Sequence, residues 1–289
     1  MTARGDGTWR VVIQRMRADR RSVLAVGVLV ALVLLVAIGP ILVASAPYEQ
    51  LDITNLVHAR PSWAHLLGTD AYSRDVLSRV LSGGRVSLAV ATSAVCIETL
   101  IGVGWGLCAG LAGGRVDTIM MRCVDAGMSV PRVLLLLALL AAVPRVPLWL
   151  LVLVLGATGW FGIARLVRAE TRVIRATDFV LAARSLGSPP FRLATRHVLP
   201  HVLGPVLVAA TLAIGQVIVL EAGLSWLGIG VQPPDASWGN IIADGTEFLS
   251  SAPWVSLAPG FCLVLVVLSI SALGDGLRDA LAPQQLPLT

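Results

Sequence analysis

Long apolar runs alternate with short segments rich in charge, glycine and proline along the chain. Six of these runs come close to the about 20 residues that cross a bilayer as a helix. They are Ser22–Ala44, Val86–Ala112, Thr118–Val143, Val146–Ala164, Val202–Val219 and Trp254–Leu273. The first run exceeds the about 7–15 apolar residues of a cleaved signal peptide and is predicted to be a span. The pattern therefore predicts an all-α polytopic membrane protein with six transmembrane helices.

The composition supports the same fold class. The chain is 56% hydrophobic and 13% charged, and its mean hydropathy is +0.83. A soluble fold of 289 residues could not bury this much apolar surface.

The distribution of arginine predicts the orientation of the spans. All 22 basic residues are arginine. With six spans both termini share one side, and the loops on that side hold 15 arginines against 5 on the other, with two inside a span. The positive-inside rule then places both termini and the 165–200 loop in the cytoplasm. The predicted order is a cytoplasmic tail at 1–21, a six-helix domain at 22–280 and a cytoplasmic tail at 281–289.

Two residue types limit the chemistry of the chain. Cys96, Cys108, Cys123 and Cys262 lie in apolar runs without CxxC spacing or a nearby histidine cluster, so they are predicted to be small core residues with no metal site. A Walker A phosphate-binding loop needs a lysine, and the chain has none. The arginines are spread over loops without interleaved aromatic residues, which argues against nucleic acid as a partner.

The predicted cytoplasmic loop at 165–200 carries a distinctive pattern. Residues 178–187 are Asp-Phe-Val-Leu-Ala-Ala-Arg-Ser-Leu-Gly, and His-Val-Leu-Pro follows at 197–200. Small residues at Ala182, Ala183 and Gly187 would let a short helix approach another protein closely. Gly187 can end that helix in a left-handed cap, and the Ser-Pro-Pro that follows can start a second helix.

Two outer segments, 63–85 and 228–252, also have recognisable patterns. In the first, Ser73 is predicted to cap an amphipathic helix, Asp75 and Arg79 to pair at i,i+4, and the glycines at 83–84 to stop the helix at the membrane surface or against the bundle. In the second, a Pro-Pro-Asp turn and interfacial tryptophans predict an ordered external loop before the last span. These tryptophans are Trp226, Trp238 and Trp254.

Several of these motifs, in order, resemble the dipeptide/oligopeptide/nickel permease family of ABC transporters, and specifically its DppC/OppC-type subunit. They are Gly68–Asp70 with Arg74–Arg79, Gly230–Pro234 with Ser237–Asn240, and Gly274–Leu281. The cytoplasmic loop resembles the family pattern of Glu-Ala-Ala, three residues, Gly, nine residues, then an apolar residue-x-Leu-Pro. Leu181 stands where the family usually has Glu, and His197 where many members have Ile.

The resemblance implies a type I ABC importer permease fold that forms half of a translocation path for short peptides. It implies a bacterial inner-membrane location and four kinds of partner: a second, DppB/OppB-type permease, two ATPase subunits that bind ATP and Mg²⁺, an external solute-binding protein and membrane lipid. The implied ATPase-coupling residues are Leu181, Ala182, Ala183, Gly187, His197, Leu199 and Pro200. The implied external-loop residues are Asp70, Arg74, Asp75, Trp238 and Asn240.

Two acidic residues, Glu98 and Asp125, lie inside predicted spans. A lone charge at the bilayer centre costs roughly 2.5–3.5 kcal/mol on insertion scales, so each is predicted to face the bundle, with Arg122 and Arg132 as candidate partners. These four residues either line a translocation path or form structural ion pairs. Glu221 is predicted to anchor the external loop.

Other functions stay open at this point. An intramembrane protease would need a serine nucleophile and a histidine base, but all four histidines lie outside the spans or at their edges. His58 and His65 are predicted to be solvated, and His197 and His201 to position the cytoplasmic loop. A secondary transporter would leave that loop unexplained. Importers of nickel chelates, glutathione or haem share the motifs of the peptide importers.

Overall fold

The computed structural model describes residues 3–43 and 45–281, and its regular structure is helical. Within these ranges the only β-type pairing is an isolated bridge between Thr69 and Asp75. The helices are α1 (Ala3–Ala18), α2 (Arg20–Leu42), α3 (Val76–Ala112), α4 (Gly114–Ser129), α5 (Arg132–Ala141), α6 (Leu148–Gly159), α7 (Phe161–Ile174), α8 (Asp178–Ser185), α9 (Pro190–Arg192), α10 (Leu199–Trp226), α11 (Trp238–Thr246) and α12 (Trp254–Leu281), with a π-helical turn at Leu193–Val198 before α10. The predicted tail at 281–289 lies, apart from its first residue, outside the described residues.

Four continuous helical stretches are long and apolar enough to cross a membrane. They are Arg20–Gly39, Val76–Ala112, Pro190–Trp226 and Trp254–Leu281. Two bent pairs, α4 with α5 at 77° and α6 with α7 at 42°, pass the same test when each pair is taken together. The described residues therefore hold up to six spans, which confirms the predicted all-helical fold class.

The first span begins at a well-defined helix cap. Asp19 accepts hydrogen bonds from the Ser22 hydroxyl at 2.6 Å and the Ser22 backbone N–H at 3.0 Å. These two hydrogen bonds hold the pKa of the Asp19 carboxyl below its ordinary value, because both favour the charged form. The polar cap marks the point at which the chain changes from the basic helix α1 to the apolar helix α2.

Helix α3 runs for 37 residues, so the prediction that glycines 83–84 stop an outer helix was wrong. Both glycines lie inside α3 and permit close packing. A Cβ atom at Gly84 would lie 2.8 Å from the Trp238 ring and 2.8 Å from Val36 Cγ2, and one at Gly83 would lie 3.1 Å from the Ser237 backbone. Their role is to let α3 approach α2 and the outer loop.

A second set of glycines on α3 faces α7. Gly102, Gly106 and Gly110 recur every fourth residue and are buried against the start, middle and end of that helix. A Cβ atom at Gly106 would lie 2.6 Å from the Ala164 carbonyl oxygen. Small residues at this spacing let two membrane helices bring their backbones together.

The buried apolar side chains form two clusters. The larger joins α3, α5, α6, α10, α11 and α12 and contains Trp238, whose side chain is fully buried. The prediction that Trp238 is interfacial was therefore wrong. The smaller cluster lies beneath the 165–200 loop and comprises Leu107, Ile163, Val167, Ile174, Val180, Leu193, Val198, Val202 and Val206.

The prediction that the cysteines are core residues was wrong. Cys96, Cys108 and Cys123 are exposed on helix surfaces, and Cys262 is half-buried. They are small apolar residues on faces that the chain itself does not cover.

Candidate translocation path and coupling loop

The loop between α7 and α10 contains the helix-turn-helix that its sequence predicted. Helix α8 ends at Ser185, and Gly187 adopts the left-handed conformation with φ +78°. The Ser188 N–H donates to the Ala183 carbonyl at 3.1 Å, and the Gly187 N–H donates to the Arg184 carbonyl at 3.0 Å. These two bonds form a Schellman motif, which satisfies carbonyls at the end of α8. Helix α9 then begins at Pro190.

The predicted coupling residues divide between two faces of this loop. Leu181, Ala182, Gly187 and Pro200 are exposed, and Ala183, His197 and Leu199 are half-buried. Ala183 and Leu199 pack against the smaller apolar cluster. Ala183 therefore anchors α8 to the bundle, and its outward neighbours are the residues available to another protein.

Four large apolar side chains on this loop are exposed. They are Phe179, Leu181, Leu186 and Phe191, and we refer to them as the coupling surface. Leu186 is 87% exposed and Phe191 is 79% exposed. Phe179, Leu186 and Phe191 were not among the predicted coupling residues, although a large apolar residue in a charged loop is a detectable signal.

His201 contacts both His197 and α8. The Nδ1 atom of His201 lies 2.9 Å from the backbone oxygen of His197, and its ring packs against Phe179. This arrangement agrees with the predicted role in positioning the loop.

Glu98 and Arg132 meet inside the bundle, as predicted. Glu98 is 2% exposed and accepts a hydrogen bond from Arg132 Nη2, which also donates to the Leu155 carbonyl at 2.8 Å. The pair lies next to the two places where spans are broken: Val130–Pro131, between α4 and α5, and Trp160, between α6 and α7. A cavity of about 250 Å³ lies between these breaks and includes Arg132 and Gly159 in its lining.

The prediction that Asp125 faces the interior of the bundle was wrong. It is exposed and pairs with Arg165 of α7 rather than with Arg122 or Arg132. A second pair between the same helices, which the sequence analysis did not find, joins Asp117 to Arg168 through hydrogen bonds of 2.9 Å and 2.7 Å. Helices α4 and α7 therefore share a charged face within the candidate spans.

The outer residues form a tight ionic network that differs from the predicted pairing. Asp70 accepts from both Arg74 and Arg79 at 2.6 Å, and Asp244 accepts from Arg79 at 3.0 Å. Asp75 does not pair with the Arg79 side chain. It caps α3 by accepting from the Ser78 N–H at 2.8 Å.

Two neighbouring residues also differ from the predictions. Asp75 contacts the His65 ring at 2.9 Å, so His65 is partnered rather than solvated. Ser73 has a positive φ of 54° and does not cap the helix. Its hydroxyl is buried without a hydrogen-bond partner within the described part of the chain.

The external loop is ordered by a capped helix and a buried polar chain. At the start of α11, Ser237 and Asn240 form a capping box, and the Asn240 amide also donates to the Asp235 carbonyl at 3.0 Å. The Trp238 indole N–H donates to the Val80 carbonyl of α3 at 3.0 Å.

Glu221 ties this loop to the bundle, as predicted. It is fully buried and accepts from Ser87 Oγ at 2.9 Å and from Ser225 Oγ at 2.7 Å. The two serine oxygens in turn accept from the N–H groups of Trp238 and Val231.

Together, the apolar helices, the broken spans with internal charges and the loop with exposed apolar side chains are typical of a polytopic membrane transport subunit. Residues 102–286 match the family described as the binding-protein-dependent transport system inner membrane component, and residues 7–61 match the N-terminal transmembrane domain of oligopeptide transport permease C. The chain belongs to this family of inner-membrane transport components, within its OppC/DppC-type group. It is a multi-pass inner-membrane protein.

Similar proteins cover most of the chain. A Brucella suis protein assigned as a peptide permease is 44% identical over 82% of this chain and 80% of its own length. The oligopeptide permease OppC of Bacillus subtilis is 34% identical over 96% of this chain and 90% of its own, and the dipeptide permease DppC of the same organism is 37% identical over 96% and 84%. These relatives favour neither the protease nor the secondary-transporter alternative.

Proposed function

We propose that the chain forms half of the translocation path of an ATP-driven importer of short peptides. The relatives that support this substrate class are named as dipeptide and oligopeptide permeases and align with nearly the whole chain. Their names favour peptides over nickel chelates, glutathione or haem. The ion pairs at the broken spans supply polar groups at membrane depth, which a path for polar solutes requires.

The coupling role is supported by the four exposed apolar side chains of the coupling surface. Exposed aromatic and aliphatic side chains on an arginine-bearing loop between two spans are costly in water and are favoured when another protein covers them. The Schellman motif at Gly187 and the contact of Ala183 with the smaller apolar cluster hold α8 and α9 in one orientation. A displacement of this loop would therefore be transmitted to α7 and α10, because the loop itself is held rigid.

The remaining subunits are those that the family resemblance implies, and the missing lysine agrees with a separate ATPase. Without lysine the chain has no Walker A loop, so ATP and Mg²⁺ belong to two partner ATPase subunits. A second, DppB/OppB-type permease supplies the other half of the path, and an external solute-binding protein delivers the peptide to the outer loops. The arginine distribution supports a cytoplasmic location for the termini and the coupling surface.

The mechanism that fits these parts is alternating access. Closure of the ATPase pair upon ATP binding moves the coupling surface, and the packed helices α7 and α3 tilt together because their backbones touch along the glycine face. The breaks between α4 and α5 and between α6 and α7 are the points at which the path can change its width.

A charged substitution on the coupling surface tests this proposal. We expect Leu186→Glu to abolish ATPase co-purification and dipeptide uptake by the reconstituted complex, because it places a charge in an apolar contact. The amount of subunit in the membrane should stay unchanged, since Leu186 contacts little of its own chain. The readouts are co-purification, peptide uptake and membrane abundance.

The matched control is Leu66→Glu, which places the same charge on an exposed leucine of the outer segment. It should leave ATPase co-purification intact. Normal uptake and co-purification in Leu186→Glu would show that the docking element lies elsewhere. Uptake of a nickel chelate, glutathione or haem in place of dipeptide would correct the substrate class and leave the coupling role standing.

A further inference from the structure

The charged face shared by α4 and α7 borders an open cavity of about 490 Å³. Its lining is Thr118, Met121, Arg122, Asp125, Arg165 and Arg168. Three guanidinium groups thus face one carboxylate, so the lining carries an excess of positive charge. The volume falls in the range of roughly 300–1,000 Å³ that is usual for small-molecule sites.

The local acids neutralise two of these three arginines. Arg168 forms a two-point pair with Asp117, and Arg165 pairs with Asp125. Within the described residues, no carboxylate lies within 4.0 Å of the Arg122 guanidinium. Arg122 therefore provides the unmatched positive charge of the cavity.

The position of Arg122 indicates what it faces. It lies eight residues beyond Gly114, or about 12 Å along α4 at 1.5 Å per residue, and its side chain is exposed. The side chains of Asp125 and Arg165 are 59% and 48% exposed at the same face. Charged groups are costly in lipid tails, so a face that carries several of them is expected to border water or another protein.

We propose that this cavity is a subsite for the carboxylate of the transported substrate, with Arg122 as the group that binds it. The inference rests on the proposed function and extends it by requiring a free carboxylate on the preferred substrate. A planar guanidinium can donate two parallel hydrogen bonds to a carboxylate. Asp125, the acid in the lining, is already paired with Arg165.

An acidic side chain of the second permease could occupy the same position by the same chemistry. The size of the cavity favours a substrate, because one aspartate or glutamate side chain would fill only a small part of about 490 Å³. Removing the charge of Arg122 distinguishes these two occupants. If a substrate binds there, the selectivity of uptake should change. If a residue of the second permease binds there, assembly of the two permeases should change.

The test compares a dipeptide carrying a free carboxylate with the same dipeptide carrying a C-terminal amide. Uptake is measured with the full complex and its binding protein in proteoliposomes. We expect Arg122→Gln to lower uptake of the free acid about tenfold, with little change for the amide, because a charge-assisted hydrogen bond is lost. Arg122→Lys should recover part of the preference. The binding protein is common to all variants, so its own selectivity cancels in the comparison.

Arg115→Gln is the matched control, since it removes an exposed arginine from the same helix outside the cavity. It should leave the acid-to-amide ratio unchanged. An unchanged ratio in Arg122→Gln overturns the inference while the importer assignment stands. Loss of the second permease on purification of Arg122→Gln also overturns it, and assigns the residue to the subunit interface. If the wild-type complex takes up neither peptide, the proposed function itself fails, and this inference with it.

Discussion

At the scale of single residues, the pair formed by Glu98 and Arg132 is a sharp test of the interior. Glu98 is almost fully buried and depends on Arg132, whose side chain is 28% exposed and can still reach water. We expect Arg132→Ala to destabilise the protein by about 3–5 kcal/mol, because it leaves a buried charge without a partner. Thermal unfolding in detergent measures the loss.

The reciprocal substitution and the double variant are the controls. Glu98→Gln should cost less, because Arg132 keeps its bond to the Leu155 carbonyl and its access to water. The double change Glu98→Leu with Arg132→Leu should recover most of the stability lost in Arg132→Ala, since it removes both charges. Equal stability of Arg132→Ala and the wild type would show that the pair contributes nothing.

These pairs also show how far sequence reasoning extends at this scale. The cost of a buried charge predicted that Glu98 needs a cation, and Arg132 was one of two candidates. The same reasoning failed for Asp125, because its side chain is 59% exposed and it pairs with Arg165 of α7, a helix whose register against α4 is set by packing. Pairing across spans depends on that register, and a single sequence does not contain it.

At the scale of helices, the contact between α3 and α7 depends on glycine. We expect Gly106→Val to separate the two helices, because its side chain would collide with the Ala164 carbonyl and with Val167. The loop after α7 would lose its support, so uptake and the amount of folded subunit should both fall. Membrane abundance and resistance to proteolysis measure the effect.

Gly104→Val provides the comparison, since Gly104 lies on the same helix and a Cβ atom there would meet no neighbouring atom within 4 Å. Both variants add the same volume and the same β-branched residue. Similar losses in the two would mean that helix propensity, and not the close contact, explains the effect.

Helix ends were predicted unevenly for a physical reason. The Gly187 cap follows a short helix, where local backbone preferences decide the outcome, and it was predicted correctly. The glycines at 83–84 were wrongly predicted to end the helix, because glycine favours both helix ends and close helix contacts. The outer loop residues Ser237 and Trp238 decide between these uses, and they lie more than 150 positions away.

At the scale of the whole molecule, the arginine distribution predicts which faces meet the cytoplasm. In a cysteine-free background, we expect Asp235→Cys to react with a membrane-impermeant thiol reagent in intact cells. Arg184→Cys should react only after permeabilisation. Both positions are exposed in the structure, so accessibility within the protein does not limit the reaction.

The cysteine-free background is necessary because three native cysteines are exposed. The reverse labelling pattern would show that the orientation is inverted and that the coupling surface lies on the outer side. Labelling of both positions in intact cells would contradict the assignment of α10 as a single span between them.

The overall architecture could be predicted because hydropathy records the spans directly. The bends could not, since the two short apolar halves of each broken span read as one run. Only a Pro at position 131 hinted at the first break, and the second falls at Trp160 without any proline.

The length of α3 has a mechanical consequence. Its 37 residues extend about 55 Å at 1.5 Å per residue, well beyond the roughly 30 Å of bilayer hydrocarbon. Its N-terminal end is held by the contacts with Asp70 and Trp238, and its C-terminal end, at Gly110, touches Thr171 on α7 near the loop that carries the coupling surface. A rod of this length that pivots by about 10° at its midpoint moves each tip by about 5 Å in opposite directions. The segments 63–85 and 228–252, which contact the N-terminal end of α3, would therefore move in the opposite direction to the coupling surface.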